Sequence, residues 1–264
     1  MSRPDFFDPP RPRLIAHRGA SGTFPENTLP AFHGAVEAGA EMIELDVHLS
    51  ADGIPVVIHD STLERTTGST GAVAELTAAQ LAGVDAGYRF RPAGADGFPQ
   101  RAAGIGIPTL ADVLTGFPAT RFTLEIKTAD PALDRALERV LREAGAETGV
   151  LLACHDGDVI RRVRRSLRAY PTNVAVDEVA TFVKEGSVAL PPAARAFQVP
   201  PRHGTRRLVT AAFVAAAQAA GCEVQVWTVN EPSAMHHLLD LGVDGVMTDH
   251  PERLLEVYRA RGLR

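Results

Sequence analysis

A parallel (β/α)8 barrel is the fold class this sequence predicts, on three observations. Short apolar runs alternate with helical periodicity almost to the end, giving eight strand–helix pairs. The chain has 264 residues, close to the ~250 of a single TIM-type α/β barrel. No GxGxxG loop follows the first strand-like run, which disfavours the runner-up, an open doubly wound sheet.

Each element has a local reason. The opening MSRPDFFDPPRPR is proline-rich and lacks an apolar core of signal-peptide type, so it reads as a loose tail. Strand 13–16 ends in His17-Arg18-Gly19, and helix 28–38 follows with Asn27 as its expected N-cap. Strand 42–47 carries Glu44 and Asp46. Only Val47 to Pro55 separates it from Val56-Val57-Ile58-His59, too short for a parallel crossover. Ser50-Ala51-Asp52-Gly53 is a turn signal, so a hairpin is expected to bring His59 roughly level with Asp46. Residues 60–108 are glycine-rich and, apart from a short helix near 77–82, lack periodicity. A loop that long is uncommon in a compact domain, and a small cap over the barrel mouth is expected. Helix 109–115 and strand 121–126 resume the rhythm, the latter bearing Glu125 and leading to Lys127. The remaining strands are expected at 149–153, 173–176, 195–199, 224–228 and 244–247. Helices are expected at 130–144, 157–168, 178–185, 210–220, 232–240 and 251–262. Asp130-Pro131 and Thr210 open two of these helices; Gly145 and Gly221 close them. The whole chain, 1–264, reads as one domain with the 60–108 insertion inside it.

Composition excludes several functions. Hydrophobic residues make up 45%, enough for a sizeable core, and the net charge is −5, which argues against nucleic acid as a partner. The run of Arg161, Arg162, Arg164, Arg165 and Arg168 reads as a solvated helix face. Cys154 and Cys222 lie in or beside apolar runs without metal-ligand spacing and read as reduced core thiols. No apolar stretch approaches the ~20 residues of a membrane span. A cytoplasmic location is therefore expected.

The polar residues that end the strands carry the chemistry. Positions i and i+2 of a strand share a face, so Glu44 and Asp46 point together, as do Glu125 and Lys127. Three clustered carboxylates repel one another unless a divalent ion takes their oxygens, and an all-oxygen set favours Ca2+ or Mg2+. Glu44, Asp46 and Glu125 against Arg18 and Lys127 sum to −1; a divalent ion brings the set to +1, hospitable to a phosphodiester. A salt-bridged rim without metal is the alternative. His17 and His59 suit the two proton transfers that P–O cleavage needs. His48 shares the Asp46 face but lies further up the hairpin. Trp227, at a late strand end, is either core or an apolar wall for a small alcohol headgroup, and Arg202 and His203 follow a strand at the same rim.

The stretches HRGASGTFPENTLPAF, EMIELDVHLSADGIPVVIHDSTLERTT, GIPTLADVL, FTLEIK, VQVWTVN and GVDGVMTDHP, in that order, resemble the glycerophosphodiester phosphodiesterase family. That resemblance implies a barrel with a cap insertion and metal ligands at Glu44, Asp46 and Glu125. It also implies an acid/base pair of His17 and His59, with Arg18 and Lys127 on the phosphate and Trp227 lining the glycerol pocket. One position departs: His155-Asp156 stands where the family usually carries an aromatic–aspartate pair.

The expected reaction is metal-dependent hydrolysis of a glycerophosphodiester to glycerol 3-phosphate and an alcohol such as choline or ethanolamine. Attack by water and passage through a cyclic phosphate remain alternatives. Two rivals stand beside it. One is cleavage of lysophospholipids, with Tyr88, Phe90 and Phe98 of the insertion offering part of an apolar groove. The other is noncatalytic binding of phosphorylated headgroups.

Overall fold

The computed structural model describes residues 3–264. In chain order the elements are β1 (Arg13–His17), α1 (Leu29–Glu37), β2 (Met42–Leu49), β3 (Pro55–Val57), α2 (Ala78–Ala82), α3 (Leu110–Gly116), β4 (Arg121–Ile126) and α4 (Ala132–Glu143). Then come β5 (Val150–Ala153), α5 (Gly157–Ser166), β6 (Thr172–Asn173), α6 (Val176–Glu185) and β7 (Ala194–Val199). The last are β8 (Arg202–His203), β9 (Arg206–Arg207), α7 (Ala211–Ala219), β10 (Glu223–Val226), α8 (Pro232–Asp240), β11 (Gly245–Thr248) and α9 (Pro251–Ala260).

Eight parallel strands close on themselves in the order β1-β2-β4-β5-β6-β7-β10-β11, with β11 returning to β1. Most of the buried apolar side chains lie between this cylinder and the helices around it. α4 shows why the helices sit there. Leu133, Ala136, Leu137, Val140 and Leu141 recur at helical spacing and are all buried, while arginines and glutamates face solvent. Inside the cylinder Ile15, Met42, Leu151, Ala196 and Met247 pack around Phe6.

Phe6 corrects the reading of the N-terminus as a loose tail. It is fully buried, its N–H donates to the Thr148 carbonyl at 2.9 Å, and Arg3 donates to the carbonyls of Leu114, Phe117 and Thr120. The segment therefore closes the barrel at the N-terminal end of its strands. Nearby, Arg13 forms a buried bidentate pair with Glu223 at 2.8 and 2.6 Å. One large aromatic and the hydrogen bonds of these arginines are enough to anchor proline-rich chain, a signal that composition masks.

The predicted hairpin is present: β3 runs antiparallel to β2, pairing Val47 with Val57 and Leu49 with Pro55. Ser50 closes the turn by donating to Asp52 at 2.6 Å, and Gly53 takes the left-handed conformation, φ 74°. The 60–108 segment packs on this hairpin through a small apolar cluster of its own, in which Leu63, Val73, Leu81 and Ile107 meet Val56 and Ile58. The strand expected at 173–176 is shorter, and α6 already begins at Val176. The cause is Asn173, whose side-chain amide bonds both the N–H and the C=O of Cys154 and so replaces ladder bonds with a side-chain bridge. The arginine run on α5 is more than a solvated face, since Arg162 pairs with Asp134 and Arg164 with Glu178. Cys154 and Cys222 are free and buried, as expected. Among the described residues no helix is long and apolar enough to cross a membrane.

Candidate active site

Strand register gathers the site. β1 pairs His17 with Glu44, and β2 pairs Asp46 with Glu125, so three neighbouring strands end at one level. Ile58 of the hairpin donates to the Asp46 carbonyl at 3.1 Å, which sets His59 beside them. His17, Arg18, Glu44, His59, Glu125, Lys127 and Trp227 all line one cavity of about 430 Å3. Asp46 lies beneath it, 1% exposed.

Glu44, Asp46 and Glu125 each offer an oxygen within 4.8 Å of the others. Burial, with Asp46 and Glu125 alongside, pushes the Glu44 carboxyl well above the usual carboxylate range. Burial would also raise Asp46, but Arg18, Lys127 and the Asn27 amide overcome it and hold Asp46 low. Lys127 Nζ lies 2.8 Å from Glu125 and 3.1 Å from Asp46 Oδ1; Arg18 Nε lies 3.2 Å from Asp46 Oδ2. Burial opposes the charge on both cations, and the acids around them more than restore it. Asp46 Oδ1 is nonetheless buried without an aligned hydrogen bond, despite the nearby ammonium. A buried carboxylate oxygen in this state, next to an acid that resists ionisation, fits a group that would hold a divalent cation. The donor set is hard oxygen throughout.

Each histidine is held through Nδ1, leaving Nε2 to the cavity. His17 Nδ1 meets Asp249 at 2.7 Å and His59 Nδ1 meets Asp60 at 2.6 Å. Carboxylates at Nδ1 select the Nδ1–H tautomer. Burial alone would raise the Asp249 carboxyl; hydrogen bonds from His17, Asn230 and Ser21 instead hold it at about 2. Asp60 is also held low against burial, by Arg65 and His59. Arg65 pairs in turn with Glu26, and Glu26 with Arg18, so alternating charges run from Arg18 to His59.

Sequence reasoning missed several of these partners. Asn27 is not a helix cap: Thr28 caps α1, and Asn27 turns with φ 58° to donate to Asp46 Oδ2 at 2.8 Å. Asp249 ends β11 as the other site residues end theirs, a positional signal that was available. Asp60 and Glu26 adjoin His59 and Asn27, but adjacency says nothing of which groups meet. His48 does not join the cavity; it is buried and its Nε2 lies 3.1 Å from the His59 carbonyl, bracing the hairpin. Trp227 is 36% exposed, at the rim rather than in the core. His203 lines a neighbouring cleft, while Arg202 bonds back to Thr205 within its own β8–β9 hairpin. Tyr88 and Phe98 do not wall a groove together with the site, since the Arg101 guanidinium covers both rings at 4.0 and 4.2 Å.

The sequence model of the Glycerophosphoryl diester phosphodiesterase family matches residues 17–253. A Mycobacterium tuberculosis protein named "Probable glycerophosphodiester phosphodiesterase 2" is 35% identical, over 94% of this chain and 91% of its own. The glycerophosphodiester phosphodiesterase of Caldanaerobacter subterraneus subsp. tengcongensis is 32% identical, over 94% of this chain and 98% of its own. Among solved structures, the glycerophosphodiester phosphodiesterase from Agrobacterium tumefaciens superposes with a TM-score of 0.74 at 25% identity, covering 92% of this chain and 98% of that one.

Proposed function

The chain belongs to the glycerophosphoryl diester phosphodiesterase family and is a phosphoric diester hydrolase; from that premise we propose how its own residues cleave a glycerophosphodiester. Glu44, Asp46 and Glu125 hold one divalent ion, Ca2+ or Mg2+. When bound, that ion supplies Lewis-acid charge at the phosphate. Arg18 and Lys127 face the same cavity and stabilise charge on the nonbridging oxygens as phosphorus becomes five-coordinate. His17 and His59 line the same cavity, each with Nδ1 held by a carboxylate and Nε2 left for proton transfer. One removes the nucleophile's proton and the other protonates the leaving alcohol. Asp249 and Asp60 keep each ring in the tautomer that exposes Nε2 and stabilise it when charged. Trp227 supplies an apolar wall at the rim. The products are glycerol 3-phosphate and the headgroup alcohol.

One observation carries this reading: three carboxylate oxygens within 4.8 Å of one another lie in a cavity that two cations and two carboxylate-anchored histidines also line. Asp46 Oδ1 is buried there without an aligned hydrogen bond, and burial among acids pushes the Glu44 carboxyl up; a divalent ion would relieve both. The test is turnover of glycerophosphocholine by the metal-reconstituted protein and by its His17→Ala and His59→Ala variants. Each exchange should lower kcat by ~10²–10⁴. Near-normal turnover in both variants refutes the acid/base roles, and full activity after exhaustive chelation refutes the metal.

A further inference from the structure

Arg65 joins two acids that serve different arms of the site. Its Nε donates to Asp60 Oδ2, and its two terminal nitrogens donate to the two oxygens of Glu26 at 2.9 and 2.6 Å. Asp60 holds His59 Nδ1 through its other oxygen. Glu26 Oε1 also accepts from Arg18 Nη1 at 2.9 Å. The loop that carries Glu26 is itself tied to Arg18, since the Asn27 N–H donates to the Arg18 carbonyl at 3.0 Å. Arg65 belongs to the 60–108 segment, so its guanidinium fastens that segment, and the histidine at its start, to the arm that carries Arg18.

The fork of the guanidinium matters here. The Asp60 and Glu26 side chains are only partly buried, and an ion pair in such a setting fixes its own geometry weakly. A planar guanidinium that grips Glu26 through two nitrogens sets the angle at which its third meets Asp60. A lysine ammonium is a single point of charge and would leave one of the acids free to turn. Burial would raise the Glu26 carboxyl, but hydrogen bonds and charge from Arg65 and Arg18 hold it low, so the acid stays ionised. Arg65 does not line the catalytic cavity. It is 46% exposed and, with Glu26, lines a separate pocket of about 160 Å3.

We propose that Arg65 is a positioning residue for catalysis: it locks Asp60, and through it the His59 ring, in a fixed place relative to Arg18. The proposal rests on the acid/base reading of His59 above and adds to it a residue outside the reacting groups.

The experiment measures kcat, KM and Tm on glycerophosphocholine for the metal-reconstituted variants Arg65→Ala, Arg65→Lys, Asp60→Ala and the double variant Arg65→Ala/Asp60→Ala. Arg65→Ala should lower kcat ~10–100-fold and leave KM within a few-fold. Its Tm should fall by no more than about 2–4 °C, because an exposed pair adds little stability. Arg65→Lys should recover little of the lost kcat. Guanidinium chloride, at concentrations that leave native kcat unchanged, should restore part of it in Arg65→Ala, since the ion fits between Glu26 and Asp60. In the double variant the two losses should not add, because Arg65 acts through Asp60. Near-native kcat in Arg65→Ala or Arg65→Lys overturns the proposal. So does a loss that adds in full to that of Asp60→Ala, or one that guanidinium cannot recover in a folded variant. Native turnover by His59→Ala overturns the acid/base reading itself, and the role of Arg65 falls with it.

Discussion

Replacing Asp249 by Asn tests the positioning of His17 without altering Glu44, Asp46 or Glu125. In the native site Asp249 Oδ1 faces His17 Nδ1 at 2.7 Å and accepts from Ser21 at 2.9 Å, while Oδ2 accepts from the Asn230 amide at 2.7 Å. Asn230 cannot turn to help, because its own oxygen accepts from Thr248 and from the Asp249 N–H. An asparagine at this position must therefore set one NH2 against a donor. If it faces Asn230, a buried donor pair repels. If it faces His17, it selects the tautomer with Nδ1 unprotonated and removes the free Nε2. Hydrogen bonds to charged groups are worth about 1.5–3 kcal/mol, so kcat should fall about 10- to 150-fold. KM for glycerophosphocholine should stay within a few-fold. Stability supplies a second readout. The native Asp249 carboxyl is held at about 2 against about 3.9 unfolded. A depressed carboxyl contributes stability that is present above its unfolded pKa and lost as pH falls through its folded one. About 2 kcal/mol should therefore disappear between roughly pH 4 and pH 2 in the native protein. Asp249→Asn lacks that carboxyl, so the difference between the two denaturation curves should narrow over this window. A kcat near the native value, in a variant with an unchanged circular dichroism spectrum, would refute the coupling of Asp249 to catalysis.

Two further perturbations probe the rest of the molecule. Adding Mg2+ or Ca2+ to chelator-treated protein, at about 100 times its dissociation constant, should stabilise the fold by about 2.7 kcal/mol. For a chain of this size that is a rise in Tm of roughly 5–10 °C; Glu44→Gln should lose most of it, and a rise below about 1 °C in the native protein would count against the cation site. Phe6→Ala should cost about 3–5 kcal/mol because it empties the barrel floor, visible as a large drop in Tm with KM untouched. Little change in Tm would show that the N-terminal segment does not seal the barrel.

What could be read directly from the sequence is local. Alternating strand and helix signals specify the barrel because each element must bury one stripe, and that stripe is written in neighbouring residues. Polar groups at strand ends point to the rim for the same reason: in a parallel barrel successive strands finish on one face. Hence Glu44, Asp46, Glu125, His17, His59 and Lys127 could be named in advance, and they line or underlie a single cavity. Their partners could not. Asp249 reaches His17 across 232 positions, and it is one of 32 acidic residues that look alike in sequence. Asn27 and Thr28 are both good helix caps, and only the arrival of Asp46 beside Asn27 decides between them. Periodicity depends on a residue's chain neighbours, which the sequence contains. Which charges pair depends on groups that meet only when the sheet closes.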